Sequence, residues 1–402
     1  NPSMPLKWFH TLMLMCLISL NAQAAKIDFW DQQKRGTNFF NSEPTEQNYK
    51  AASEAGLEWV RVTFSKWESR EKDFLAGNLD NYDTLVKEDL DTLKQAVRWA
   101  DKYGLKVVIA PLGLPGGRWT QNNGGKPDPR IWQDKKWWDQ SAQYWQDIAS
   151  ALKGFNNIVA YNIINEPIPE MPTGMAEHGD LARYDAWYKK YQGTSNDLPA
   201  FYNQVIKAIR KVDAETPVMV DSGWYAQPTA FVYWPKLEDN KVLYAFHMYE
   251  PFNYTNRRNS LRIKDGKEAF DYPGTVPYAG LPIHWDKEQL EAFLSPLFEW
   301  SEKKSIPTKR LVASEYGVYR HNPGAADFLE DLTDLFNERQ LHWAFYSFRE
   351  DEWDGYDYEL GSKPLNWKYW QAVEAGESPE RPYNDRNPIW QVLSEAIEAP
   401  RG

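Results

Sequence analysis

Cysteine is nearly missing from this sequence: 402 residues contain one, Cys16. The rest of the chain therefore offers no disulfide pair, no thiolate nucleophile and no thiolate ligand for a metal. Basic runs are lacking too. No stretch is rich in Lys and Arg and the formal net charge is −11, which argues against nucleic acid as a partner, because such sites depend on neutralising phosphates. No H-E-x-x-H and no clustered pair of histidines occurs, so a His/carboxylate metal site has no signature. No G-x-G-x-x-G follows the first strand-like segment, which removes the dinucleotide-binding fingerprint. The expectation is a protein without metal or organic cofactor. Linkers and low-complexity stretches are also absent, and the elements are too unevenly spaced for a repeat solenoid.

What is present begins with an export signature. From Met4 the chain reads MPLKWFHTLMLMCLISLNAQAAK: a basic start at Lys7, an apolar run Leu12–Leu20, and the small-x-small triplet Ala22-Gln23-Ala24. That is the pattern of a secretory signal. The run is too short to span a bilayer comfortably. Met15 precedes Cys16 where a lipoprotein would need a small residue. We expect a signal peptide over 1–24 (with residues 1–3 upstream of its start), a single domain over 25–402, a secreted or periplasmic location, no membrane attachment after cleavage, and a monomer. Without disulfides, the core has to supply the stability.

Past the signal, strand-like runs alternate with amphipathic helical ones. Strands are expected at 36–40, 57–64, 105–113, 157–164, 217–221, 242–249, 310–316 and 341–348. Val86, Leu90, Leu93, Val97 and Ala100 are spaced four, three, four and three apart, the period of a helix packed on one face, and Gly104 is placed to stop it. Further helices are expected around 135–153, 201–212, 286–304, 324–338 and 388–399. Several of the strands are near-continuous apolar runs, as in a parallel sheet covered on both faces. Eight such units fit an α/β fold, a (β/α)8 TIM barrel with long loops on its C-terminal face. The long excursions 113–134, 165–197, 222–234 and 250–285 all follow strands, which puts them on the face where such barrels carry their sites.

Two of the strand runs end oddly. "IVAYNIINEP" passes from apolar residues straight into Asn165, Glu166 and Pro167, and "RLVASEY" delivers Glu315. A barrel brings all strand ends to one mouth, so these two carboxylates approach each other across it. Facing carboxylates suit cleavage of a glycosidic bond: one protonates the leaving oxygen while the other meets the developing oxocarbenium carbon. The surplus of rings, 20 Trp and 23 Tyr, is expected to gather partly on this rim.

"NEP" closing the fourth strand, with a Glu closing the seventh, resembles glycoside hydrolase family five, the cellulase family of retaining barrel glycosidases. The resemblance covers nearly the whole chain after the signal, and it implies Glu166 as acid/base and Glu315 as nucleophile. Arg61 at the end of strand two, and His247 and Tyr249 in "FHMY", agree with it. Their expected roles are physical. Asn165 would bond the sugar 2-hydroxyl, Arg61 and Tyr249 would hold Glu315 ionised, and His247 would orient Glu166. Two positions depart from the family pattern: Leu112 stands where a histidine is usual, and Phe348 where a tryptophan usually floors the site. Phe348, Trp224, Trp119 and Trp353 are the expected substrate-binding rings, since the apolar face of a β-linked pyranose suits an aromatic. Tyr254, Arg257 and Arg258 could wall the cleft. The implied activity is that of a glycoside hydrolase acting on a β-linked oligo- or polysaccharide, foremost an endo-β-1,4-glucanase. A β-mannanase or an exo-acting β-glucosidase are alternatives within the family, and a non-catalytic polysaccharide-binding barrel is the alternative from another class.

Overall fold

The computed structural model describes residues 24–402, so the expected signal segment lies outside the described residues except for its last position. Eight parallel strands close into a barrel in the order β1-β10-β9-β6-β5-β4-β3-β2. They are β1 (Arg35–Phe39), β2 (Trp59–Val62), β3 (Lys106–Ile109), β4 (Ile158–Asn162), β5 (Val218–Asp221), β6 (Val242–Met248), β9 (Leu311–Tyr316) and β10 (His342–Phe345). The remaining pair, β7 (Gly274–Tyr278) and β8 (Leu281–Trp285), forms an antiparallel hairpin inside the connection from β6 to β9. This is the expected TIM barrel. The hairpin, within the excursion 250–285 read from the sequence as loop, and helix Glu46–Glu54, for which no element was expected, are additions to it.

Helix Lys87–Lys102 shows why these segments fold as they do. It carries Glu88 and Asp89 in its first turn and Lys102 in its last, matching the helix dipole. It turns Leu93, Ala96, Val97 and Ala100 inward, and each large apolar side chain so buried contributes about 1.5–3 kcal/mol. Gly104, at φ +76°, ends it in the left-handed conformation that glycine adopts without strain. Inside the barrel, Trp59, Val108, Met219, Leu243 and Val312 form a separate packed plug with Trp30. Trp30 comes from the turn Lys26–Asp31, and its indole N–H donates to the Val159 carbonyl at 3.0 Å. The N-terminal end of the barrel is thus filled, leaving the opposite mouth for chemistry.

One expected strand–helix unit is incomplete. Between β5 and β6 there is only the turn Gly223–Ala226 and the short helix Pro228–Phe231. Trp224, Tyr225 and Ala226 all have positive φ, a course no α-helix can follow. Phe231 fills the gap in the outer layer by stacking on Trp300, with ring centres 4.9 Å apart. The tryptophans likewise correct the sequence reading. Trp30, Trp59, Trp132, Trp145, Trp234, Trp285 and Trp343 are fully buried, and most of the others are core residues. The aromatic surplus chiefly packs loops and helices against the barrel.

Candidate active site

A level of polar side chains crosses the otherwise apolar barrel near its C-terminal mouth. Asn38 on β1 is in register with Arg61 on β2, and His247 on β6 is in register with Glu315 on β9. The second pairing depends on an irregularity. Val312 faces the barrel plug and Ala313 the outer core, so strict alternation would turn Glu315 outward. A register shift opposite Phe246 and His247 turns it inward instead, as such shifts do beside functional sites. Glu166 reaches the same place differently. It lies four residues beyond the end of β4, with φ +49°, a conformation that costs a non-glycine residue roughly 1–2 kcal/mol. Its backbone N–H is held by the Asp221 carboxylate at 3.1 Å, and Pro167 cannot donate to an incipient helical turn.

Arg61 is the hub. It is 1% exposed and donates to Glu315 at 2.6 Å, Asn165 at 2.7 Å, Asn162 at 2.9 Å and Asn38 at 3.1 Å. The Tyr249 hydroxyl donates to the other Glu315 oxygen at 2.7 Å. His247 Nδ1 lies 2.7 Å from Glu166 Oε2. Its Nε2 lies 3.5 Å from Asp221 and 3.6 Å from Glu315. One atom each of Glu166, His247 and Glu315 fall within 4.8 Å of one another. These three could in principle share a cation, but the Arg61 guanidinium already sits on Glu315.

The environment drives the two carboxyls apart in acidity. Burial raises Glu166 above the ordinary glutamate range, the neighbouring Glu315 and Asp221 push the same way, and the bond to His247 offsets this only in part. Burial also opposes ionisation of Glu315, but His247, Arg61 and the Tyr249 hydroxyl together outweigh it and hold this carboxyl low. Burial would lower His247 as well, yet the carboxylates around it, Glu315 first, keep it raised. The result is one carboxyl that holds its proton more tightly than an ordinary glutamate and one that holds it less tightly.

Glu166 stands between two cavities. On one side a space of about 130 Å³ is lined by Glu315, Arg61, Asn165, Asn38, Leu112 and Tyr346, with Trp119 and Gln121 at its edge. On the other a space of about 350 Å³ is lined by His247, Tyr249, Tyr225, Gln227, Glu250 and Phe252, among others. Trp119 and Gln121 also border a third, larger space of about 540 Å³.

The structure therefore brings together Glu166, Glu315, Arg61, Asn165, His247 and Tyr249, with Trp119 beside them. It places three of the four expected sugar-stacking rings elsewhere or turns them away. Phe348 is 2% exposed and stacks on Phe39, because β10 ends at Phe345 and the next side chain, Tyr346, takes the cavity wall. Trp224 is 5% exposed, its backbone N–H bonded to the buried Glu170 carboxyl; Tyr225 turns into the cavity on the His247 side in its place. Trp353 spends its ring on Tyr319 and Tyr356. Tyr254 is fully buried and bonds the Pro323 carbonyl, so it does not wall the cleft. Sequence reasoning missed Asn38, Asn162 and Asp221. The available signal was a lone polar residue at the end of an apolar strand, as in "AYN" and "VMVD".

Comparison with known proteins agrees with this geometry. The profile described as Cellulase (glycosyl hydrolase family 5) matches residues 20–352. The chain is similar to "Probable glucan 1,3-beta-glucosidase A" of Aspergillus fumigatus, 25% identical over 376 residues, covering 84% of this chain and 79% of that protein. It is also similar to "Endoglucanase C" of Acetivibrio thermocellus, 22% identical over 375 residues and covering 88% and 90%. Among solved structures, endoglucanase Cel5A of Thermotoga maritima shares the fold with a TM-score of 0.61 at 16% identity, covering 92% of this chain and all of that one. A family-specific profile matched over most of the length, on a closed barrel with paired carboxyls at its mouth, places this chain in the cellulase family, glycosyl hydrolase family 5.

Proposed function

We propose that the chain is an exported endo-β-glucanase that cleaves its substrate with retention of anomeric configuration. The observation that carries this reading is the approach of Glu166 and Glu315 to within 4.8 Å, in the range where the second carboxylate attacks the sugar directly and too close for an intervening water. Glu315 attacks the anomeric carbon while Glu166 passes its proton to the departing oxygen, leaving a glycosyl ester on Glu315 and a carboxylate on Glu166. Glu166 then takes a proton from the entering water, which attacks the same carbon and frees Glu315. Arg61 and Tyr249 keep Glu315 anionic before attack and receive it again afterwards. Asn165, fixed by Arg61, is placed for the 2-hydroxyl of the sugar under attack.

Glucan as substrate is supported by the names of the relatives, which act on glucans. Cleavage within a chain is supported by the room on the far side of Trp119, a space of about 540 Å³ open to further sugar units. β-1,4 is the linkage proposed. Export is supported by the Lys7, Leu12–Leu20 and Ala22-Gln23-Ala24 pattern; among the described residues no helix is long and apolar enough to cross a membrane. The test is a panel of β-1,4-glucan, β-1,3-glucan, mannan and xylan with product sizes and anomeric form resolved, together with labelling by a 2-fluoro glucosyl inhibitor. Oligosaccharide products of retained configuration and a labelled Glu315 are expected. Inverted products, or activity confined to release of single terminal sugars, would overturn the reading.

A further inference from the structure

Tyr346, which shares the cavity with Glu315, is held at its hydroxyl by a buried carboxyl. The residue lies just past the end of β10. Its backbone is fixed, with the N–H donating to the Tyr316 carbonyl at 2.8 Å and the carbonyl accepting from the Tyr358 hydroxyl at 2.6 Å. A fixed backbone still leaves the side chain a choice of rotamers. Arg349, at φ +50° and tied to Glu359 at 2.7 Å, turns the chain so that Glu350 comes back to the ring. The Tyr346 hydroxyl donates to Glu350 Oε2 at 3.2 Å, and the Ser347 hydroxyl donates to the same oxygen at 3.3 Å. Lys66, from the loop after β2, brings its ammonium 3.5 Å from the other oxygen and 3.4 Å from Glu352. The same ammonium lies 4.1 Å from the centre of Phe40, a second ring of the cavity wall.

Glu350 is 2% exposed. Taking a carboxyl out of water is costly, and contacts this long do not repay the cost as stability; an apolar residue of similar size would serve packing better. What the carboxyl does gain is a hold on one ring beside the nucleophile. Given the glucanase reading, on which this inference rests, we propose that Glu350 is a positioning residue for the reaction: through the Tyr346 hydroxyl it sets that ring against the sugar that Glu315 attacks. The cavity, about 130 Å³, leaves little slack. The sugar must distort there on its way to the transition state, so a ring displaced by roughly 1 Å is felt in the rate. Burial raises Glu350 to about 7, with Lys66, Tyr346 and Ser347 offsetting part of the rise. The bond from Tyr346 survives either way, because a neutral carboxyl keeps its carbonyl oxygen as an acceptor.

The test measures kcat/KM on cellotetraose and on dinitrophenyl β-cellobioside, with urea unfolding alongside, for Glu350→Ala, Glu350→Gln, Tyr346→Phe and the double variant Glu350→Ala, Tyr346→Phe. Both substrates place a sugar in the same cavity, so Glu350→Ala and Tyr346→Phe are each expected to lower kcat/KM on both by ~10-fold, the range for one lost hydrogen bond. Glu350→Gln, whose amide oxygen can accept the same bond, is expected to stay close to the native rate. The double variant is expected to lose no more than the worse of its two parents, since both remove one interaction. Additive losses, a glutamine variant as poor as the alanine one, or a fall in stability with kcat/KM unchanged would each overturn the proposal. Should Glu350→Ala fail to fold, Tyr346→Phe decides: it keeps the ring, and native kcat/KM in that variant would overturn the proposal too. Failure of the native enzyme on both substrates would instead sink the glucanase reading, and this inference with it.

Discussion

Replacing Arg61 by methionine isolates the interaction on which the site is built. The side chain volume is nearly kept, but Glu315 loses its 2.6 Å cation and the amide oxygens of Asn38, Asn162 and Asn165 lose their shared donor. Glu315 is 8% exposed, so water cannot fully replace the guanidinium. Breaking such a buried pair costs about 3–5 kcal/mol. Glu315→Gln is expected to be milder, since its amide oxygen can still accept from Arg61. In the double variant Arg61→Met, Glu315→Gln no charge is stranded, and the two effects should fall short of their sum by about 2–3 kcal/mol, well beyond the few tenths seen for independent sites. Urea unfolding of the four proteins measures this. The pH dependence has a definite sign. In the native protein the depressed Glu315 carboxyl contributes stability above the ordinary carboxylate range and loses it as pH falls through its own lowered value. In Arg61→Met the stranded carboxylate is relieved by protonation, so the penalty shrinks on acidification. Additive single effects, or a penalty that grows toward acid pH, would refute the account.

Other expectations follow from the same geometry. The kcat/KM profile should be bell-shaped, falling at low pH as Glu315 takes up a proton and at high pH as the raised Glu166 loses the one it must donate; Glu166→Gln should abolish the basic limb. Glu166→Gln should lower kcat/KM on unactivated glucan by about 10²–10⁴-fold, measured by reducing-end release, with a far smaller loss of kcat/KM on a dinitrophenyl glycoside, whose departure needs no proton. Trp224→Ala, which empties a core position, should cost about 3–5 kcal/mol in urea unfolding, whereas Tyr225→Ala should hardly alter stability and should raise KM for oligosaccharides. Phe348→Ala should behave like Trp224→Ala, losing stability with no selective effect on KM.

Much of this was legible along the chain because it depends on local pattern. Apolar runs of strand length, alternating with segments of helical period such as Leu90, Leu93 and Val97, determine a barrel of parallel strands, since only covered strands can be apolar on both faces. That topology carries every strand end to one mouth, so Glu166 and Glu315 are brought together by chain order alone. The directions of side chains were not legible. Tyr225 replaces Trp224 in the cavity through three successive positive φ angles. Tyr346 replaces Phe348 because β10 stops three residues early, and Glu315 faces inward through a one-residue shift between two strands. Each of these is settled by packing between segments distant in sequence, as is the unequal acidity of the two carboxyls, which requires Arg61, Tyr249 and His247 from other strands. The sequence by itself determined the barrel and the arrival of Glu166 and Glu315 at its mouth; only the tertiary structure decided which side chains join them there, which way they face and which carboxyl is the weaker acid, because all three depend on neighbours that no local pattern specifies.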